Sequence, residues 1–206
     1  MRLAIISLSL LLAGCASTFD SESPVADEYA LKTSDGEVSV STVPISLPIQ
    51  LTRIETAPGY DTRRMLVTRP DGRLDVLADA RWVGSIPSVL EVAVIDQLRA
   101  AGFDVHPNSA ALATPYALRV TVRRFDVEYA NSGDSEPAET PTARVVLDVT
   151  LVRRRDRLPI ATWAISGAAA ATENRRAPLV SALGAATHLA LKGLTTELAA
   201  VTELKQ

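Results

Sequence analysis

The sequence predicts a single domain of α+β class: an α/β sandwich in which a mainly antiparallel mixed sheet carries two long helices on one face. Three observations lead there. From Tyr116 to Ala169, three successive runs alternate apolar and polar residues with a period of two, which is the signature of strands covered on one side. Two other stretches, one before those runs and one after, carry apolar residues at helical spacing. The resulting order, strands then helix then three strands then helix, packs as two layers around one core. A chain of 206 residues has room for one such domain with a substantial core. With hydrophobic residues at 47% and aromatic residues at only 4%, that core must be built from Val, Leu, Ile and Ala.

The elements justify themselves in order. Glu37 to Leu47 alternates at Val38 and Val40, then at Val43, Ile45 and Leu47, which reads as a strand with a slip between the two groups. Pro44 places it near an edge or bulge, and Pro48 is expected to stop it. Arg64 to Val76 is a hairpin turning at Pro70-Asp71-Gly72, where proline presets φ and glycine is free to take a positive one. A helix follows, with Ser85 as cap, Pro87 in the first turn and Gly102 at the stop. Its inward face is Ile86, Leu90, Ala93, Val94, Leu98 and Ala101.

The strand from Tyr116 to Tyr129 changes phase part-way. Leu118, Val120 and Val122 share one face, whereas Phe125, Val127 and Tyr129 alternate in the opposite register. A one-residue slip sends every later side chain to the other face, so a β-bulge is expected near Arg123-Arg124. Asn131 to Pro141 is an acidic loop. Ala143 to Val152 returns with Val145, Leu147, Val149 and Leu151 inward, Arg153 to Arg157 turns, and Leu158 to Ala169 is the third long strand, carrying Trp163 and Ile165. The final helix runs from about Pro178 to Leu204, with one stripe of Leu183, Thr187, Ala190, Leu191, Leu194, Leu198 and Val201.

Little in the chain points to catalysis. His106, in a loop before Pro107, and His188, on the last helix beside Ser181, Gly184, Ala185 and Lys192, are the two histidines, and neither has a nominated nucleophile or orienting partner. Neither has a second histidine at ligand spacing, no phosphate loop or Gly-x-Ser-x-Gly string is present, and no metal or cofactor is expected. A net charge of −3 gives no bulk attraction to nucleic acid. Arg153, Arg154, Arg155 and Arg157 crowd one turn, Arg63 and Arg64 another. Such clusters serve either as solubilising turns or as contacts for lipid headgroups or an acidic partner surface.

The N-terminus reads as an export signal. Arg2 is a short positive region, and Leu3 to Ala13 is apolar but too short to span a bilayer as a helix. Leu12-Ala13-Gly14-Cys15 resembles the lipobox of bacterial lipoproteins: small residues where the peptidase cuts, between Gly14 and Cys15, and the chain's one cysteine to receive lipid. Ala16 follows, where inner-membrane retention is associated with Asp. The expected organisation is a signal peptide at 1–14, an acylated Cys15 with a flexible tether to 28, and a domain at 29–206, anchored in the outer membrane and facing the periplasm. A multi-chain anchor of this kind is effectively permanent, where one chain is marginal.

Asp79-Ala80-Arg81-Trp82-Val83 stands directly before a helix that ends Gln97-Leu98-Arg99-Ala100-Ala101-Gly102-Phe103. With Arg69 and Leu74 upstream, Tyr29-Ala30-Leu31 after the tether and Leu47-Pro48 closing the first strand, this order resembles the ABC-type transport auxiliary lipoproteins, the PqiC-like family. The resemblance covers roughly Tyr29 to Val201; Ile49 to Asp61 departs from it, being longer than the usual link from first strand to hairpin. It implies a non-enzymatic component of a system with an ABC permease and ATPase and an MCE-domain protein. Such systems move phospholipid or other hydrophobic molecules between membranes, and a homo-oligomer is plausible. The alternative is a generic outer-membrane assembly lipoprotein scaffolding another envelope complex. Trp82 is expected to pack at the junction of sheet and helix, its N–H in need of a polar partner, with Arg81 exposed.

Overall fold

The computed structural model describes residues 26–33, 45–110, 112–130 and 140–201. Gly14, Cys15, the leader and nearly all of the tether lie outside the described residues, as do residues 37–44 of the first expected strand. The described elements are β1 (Asp27–Tyr29), β2 (Ile45–Leu51), β3 (Glu55–Thr56), β4 (Arg64–Thr68), β5 (Leu74–Trp82), α1 (Ile86–Ala100), β6 (Phe103–His106), β7 (Tyr116–Glu128), β8 (Thr142–Arg153), β9 (Leu158–Ala170) and α2 (Arg176–Ala200). Together the strands form one open mixed sheet with both helices packed on it.

Strand β7 organises the sheet. Along one edge it makes a full antiparallel ladder with β8, from Tyr116↔Arg153 to Glu128↔Thr142, and β8 continues antiparallel to β9. The other edge is shared by three strands laid end to end, all parallel to β7: β2 at Tyr116 to Leu118, β3 at Thr121 and Val122, and β4 at Val127 and Glu128. The segment Ile49 to Asp61 is therefore a structural lining. Between its two strands Thr52 donates its amide to the Leu118 carbonyl (2.9 Å), and beyond β3 the Ala57 amide reaches Val122 (2.8 Å).

The expected bulge is present. Val122 pairs with Leu147 and Arg124 with Val146, leaving Arg123 as the extra residue. That slip lets Leu118, Val120 and Val122 before it, and Phe125 and Val127 after it, all reach the core. Strand β8 behaves as its period predicts, with Val145, Leu147, Val149 and Leu151 fully buried.

Two expectations need correction. Pro48 does not stop the first strand: β2 runs through it to Leu51. The register with β6 shifts between Ile45 and Ile49, so the ladder does not call on the N–H that proline lacks. And His106 is not in a loop. The chain after α1 forms β6, parallel to β2, and His106 is its last residue. A four-residue strand with two buried side chains, Phe103 and Val105, is too short for its period to stand out.

The hairpin turns where expected. Arg69 and Arg73 close it (2.8 Å), and Gly72 takes φ 81°. Helix α1 starts at Ser85, whose hydroxyl meets that of Ser88 (3.0 Å) instead of capping a backbone amide, and Gly102 ends it with φ 90°. Trp82 is fully buried at the sheet–helix junction, its ring 5.6 Å from that of Phe125 and tilted by 58°. No hydrogen-bond partner for its Nε1 is found among the described residues.

Helix α2 lies against β9 and β8 with its Leu and Ala stripe inward. The approach is closest at Gly167 of β9, where an added Cβ would stand 2.0 Å from the Ala186 carbonyl oxygen and 2.7 Å from the Ala190 nitrogen. Gly167→Val is therefore expected to lift the helix and destabilise the fold by about 2–4 kcal/mol. Gly72→Ala, in open space but at positive φ, is expected to cost only about 1 kcal/mol. Chemical denaturation of both variants checks the contrast; equal losses would refute the steric account of Gly167.

Candidate functional site

The first described strand, β1, is an edge strand that pairs parallel with β5 through Asp27↔Ala80 and Tyr29↔Trp82. Four contacts fasten it. The Val83 amide donates to the Tyr29 carbonyl (3.0 Å), Glu28 receives both Arg63 (3.0 Å) and Arg81 (2.8 Å), and Asp27 receives Arg176 at the start of α2 (3.0 Å). Each ion pair is half exposed and individually weak, but together they fix one short segment against two elements. Tyr29 and Leu31 add partly buried side chains against the core.

Past Tyr29 the backbone crosses α2 at Gly184. This glycine is buried mid-helix, and an added Cβ would stand 2.0 Å from the Lys32 carbonyl oxygen. Segment and helix wall an open groove of about 600 Å³, within the usual size of small-ligand sites. Its sides are mostly apolar: Tyr29 and Ala30 from the segment, and Ala177, Val180, Ala185 and half-exposed Leu189 from the helix. The polar groups are Glu28, already paired, and Lys32, Thr33, Ser181 and His188. Among the described residues Lys32 makes no ion pair, and the buried Nδ1 of His188 finds no hydrogen-bond partner.

His188 thus lies on the face with Ser181 and Ala185, as its helical position predicts, and that face borders the groove. Val180 and Leu189 had passed unnoticed because they fall outside the core stripe. The signal that could have found them was Gly184: a glycine inside a long helix, off the stripe, asks for a close backbone neighbour.

The arginine-rich turn lies at the far end of the β8–β9 hairpin, and its members do different things. Arg153 pairs with Asp156 (2.9 Å). Arg154 reaches back to the Gln50 carboxamide oxygen (2.5 Å) and the Thr114 hydroxyl (3.3 Å), tying the turn to β2. Arg155 is highly exposed beside Asp156 (3.6 Å), and Arg157, at φ 59°, is exposed. The structure thus brings Arg153 and Arg154 into internal contacts and leaves Arg155 and Arg157 facing outward. His106 pairs with Asp104 (2.9 Å) on its own strand, and Arg81 is partly exposed on Glu28.

One buried carboxylate is the remaining polar cluster. Asp126, fully buried, receives Arg124 at 2.8 and 3.1 Å and the Thr68 hydroxyl, while the Tyr60 hydroxyl stands 3.5 Å away. Arg124 also reaches Glu128 (3.2 Å), and Arg144 donates to that carboxylate and holds it below its ordinary range. Burial, with the Asp126 charge beside it, pushes the Tyr60 phenol up to about 12. Every member is spent on another, and Asp126 has no surface open to a substrate. This network joins β7 to β4 and to the segment that carries Tyr60. Among the described residues no cluster of His, Cys, Asp and Glu could hold a metal ion.

A family model described as the ABC-type transport auxiliary lipoprotein component matches residues 29–195. A search of curated protein sequences finds no match. Among solved structures, the chain is similar to protein XCC0632 from Xanthomonas campestris, assigned to the DUF330 family. The TM-score is 0.65 at 24% identity, over 84% of this chain and 92% of that one. A second, uncharacterised protein gives a TM-score of 0.64 at 12% identity, over 84% of this chain and 99% of that one. At these identities the likeness is one of fold.

Truncating the buried carboxylate leaves Arg124 with Glu128 alone and the Thr68 hydroxyl without its acceptor, so Asp126→Ala is expected to lose about 1–3 kcal/mol in urea unfolding; a parent-like midpoint would show the network to be dispensable. The raised Tyr60 pKa carries a sign. The fold favours the neutral phenol, so its contribution is complete below the ordinary value of 10 and is lost as pH climbs through about 12. Tyr60→Phe is expected to flatten the decline of stability across that window and to remove the last tyrosinate step from an ultraviolet titration.

Proposed function

The chain belongs to the family of ABC-type transport auxiliary lipoprotein components, and on that premise we propose that it is the outer-membrane-anchored, periplasm-facing member of an ABC/MCE system for hydrophobic molecules. It acts there by docking or tethering, without catalysis. Cys15 carries the anchor after cleavage behind Gly14, residues 15–28 are the tether, and the rest is the docking domain, working as a homo-oligomer. Outward-facing Arg155 and Arg157 are available to an acidic partner surface or to headgroups.

The observation that supports this reading best is how soon after Cys15 the first described strand stands. The family match starts at Tyr29, and β1, clipped by Glu28 to two arginines, starts twelve residues past Cys15. A dozen extended residues reach at most about 40 Å, so the tether keeps the domain close to the membrane that holds the lipid.

Cys15→Ala is expected to release the protein from the membrane fraction into the soluble periplasm, and Ala16→Asp to move it to the inner membrane. Affinity purification of the acylated protein from detergent-solubilised envelopes is expected to recover an MCE-domain protein with its permease and ATPase. Repeated recovery of a different envelope complex would instead support the scaffold reading.

A further inference from the structure

We infer that the groove between the Glu28–Thr33 segment and α2 binds a membrane phospholipid, one acyl chain along its apolar walls and the phosphate at Lys32. Three features of the groove lead to this occupant. The walls offer a continuous apolar surface from Tyr29 across Val180 and Ala185 to Leu189, which is half exposed although it belongs to a helix with otherwise well-buried leucines. Leaving such a surface to water is unfavourable in proportion to its area. The polar groups are few: the Lys32 ammonium, which makes no ion pair among the described residues, the hydroxyls of Thr33 and Ser181, and the imidazole of His188. All donate hydrogen bonds, and the one carboxylate at the rim, Glu28, is held by Arg63 and Arg81. A cation with neutral donors at the rim of an apolar trough matches a molecule with an anionic head and a hydrocarbon tail.

The third feature is position. The trough's own wall is the segment that leaves the tether, and Lys32 stands seventeen residues from Cys15. An anchor at that distance keeps the trough beside a phospholipid surface, where the local concentration of such molecules is high. The close approach of Lys32 to Gly184 sets the wall's height, because any side chain at 184 would push the segment off the helix.

The inference gives the domain a ligand, which docking and tethering do not require, and it rests on the lipoprotein reading only for the nearness of the membrane. The test uses the full acylated chain in vesicles of phosphatidylethanolamine with phosphatidylglycerol. A photo-crosslinking phenylalanine analogue replaces Leu189 in the groove or, as a control, Val92, which is 60% exposed on α1. Phospholipid adducts, identified by mass spectrometry, are expected at 189 and not at 92. Ala185→Trp, which fills the trough from an exposed position, is expected to abolish them, and Lys32→Glu to lower them roughly fivefold.

Equal adducts at both positions, or adducts indifferent to Ala185→Trp, would mean mere contact with the bilayer and overturn the inference. So would crosslinking at 189 only to protein when the experiment is repeated in whole envelopes, since the occupant would then be a polypeptide. The purification of envelope partners is an independent readout, so a lipid-loaded groove without MCE partners refutes the transport role alone, and the reverse refutes the groove alone.

Discussion

One extra residue in one strand holds this architecture together. Arg123 interrupts the pairing of β7 with β8, and from there the strand's faces exchange. Before the slip, Leu118, Val120 and Val122 point to the core; after it, Phe125 and Val127 do. A regular strand would have turned Phe125, the partner of Trp82, away from the core and set Arg124 and Asp126 toward it. The bulge instead puts those charges on the opposite side, where Thr68 and Tyr60 converge on Asp126. The same residues that seal the core also fix where β4 meets β7, and hence where the hairpin, β5 and the N-terminal strand β1 stand.

Helix α2 depends on a second kind of constraint, the absence of side chains. Gly167 lets its backbone come down onto β9, and Gly184 lets the incoming segment come down onto it. The helix is consequently covered from two directions, which explains why its buried residues extend beyond one stripe to Gly184 and Ala182. Among the described residues, an open groove lies between the segment and the helix. The residues that fasten β1 to the domain are thus continuous with one wall of the groove.

Much of the fold was legible because the relevant signals are local. Alternation marked β8, a turn tripeptide marked the β4–β5 hairpin, and Ser85 and Gly102 bracketed α1. The phase change in β7 was readable because six side chains, from Leu118 to Tyr129, recorded it. Where local signals were diluted, reading failed: β6 is four residues long, β3 only two, and β2 continues through a proline whose missing donor a register shift absorbs. The groove was hidden for another reason. Its walls come from residues about 150 positions apart, and the period of a helix shows which face is buried in the core, not what lies on its other faces.

The sequence by itself determined the α+β layering, the bulge and the bounds of α1, because apolar period and turn residues act over a few neighbouring positions. Only the tertiary structure decided that β2, β3 and β4 share one edge of β7, that Arg153 and Arg154 are spent inside the domain while Arg155 and Arg157 are not, and that Asp126 is closed off. It alone showed that the segment after β1 lies across Gly184. These outcomes rest on contacts between distant segments, whose free energies come from burial and pairing in three dimensions and leave no periodic trace in the chain.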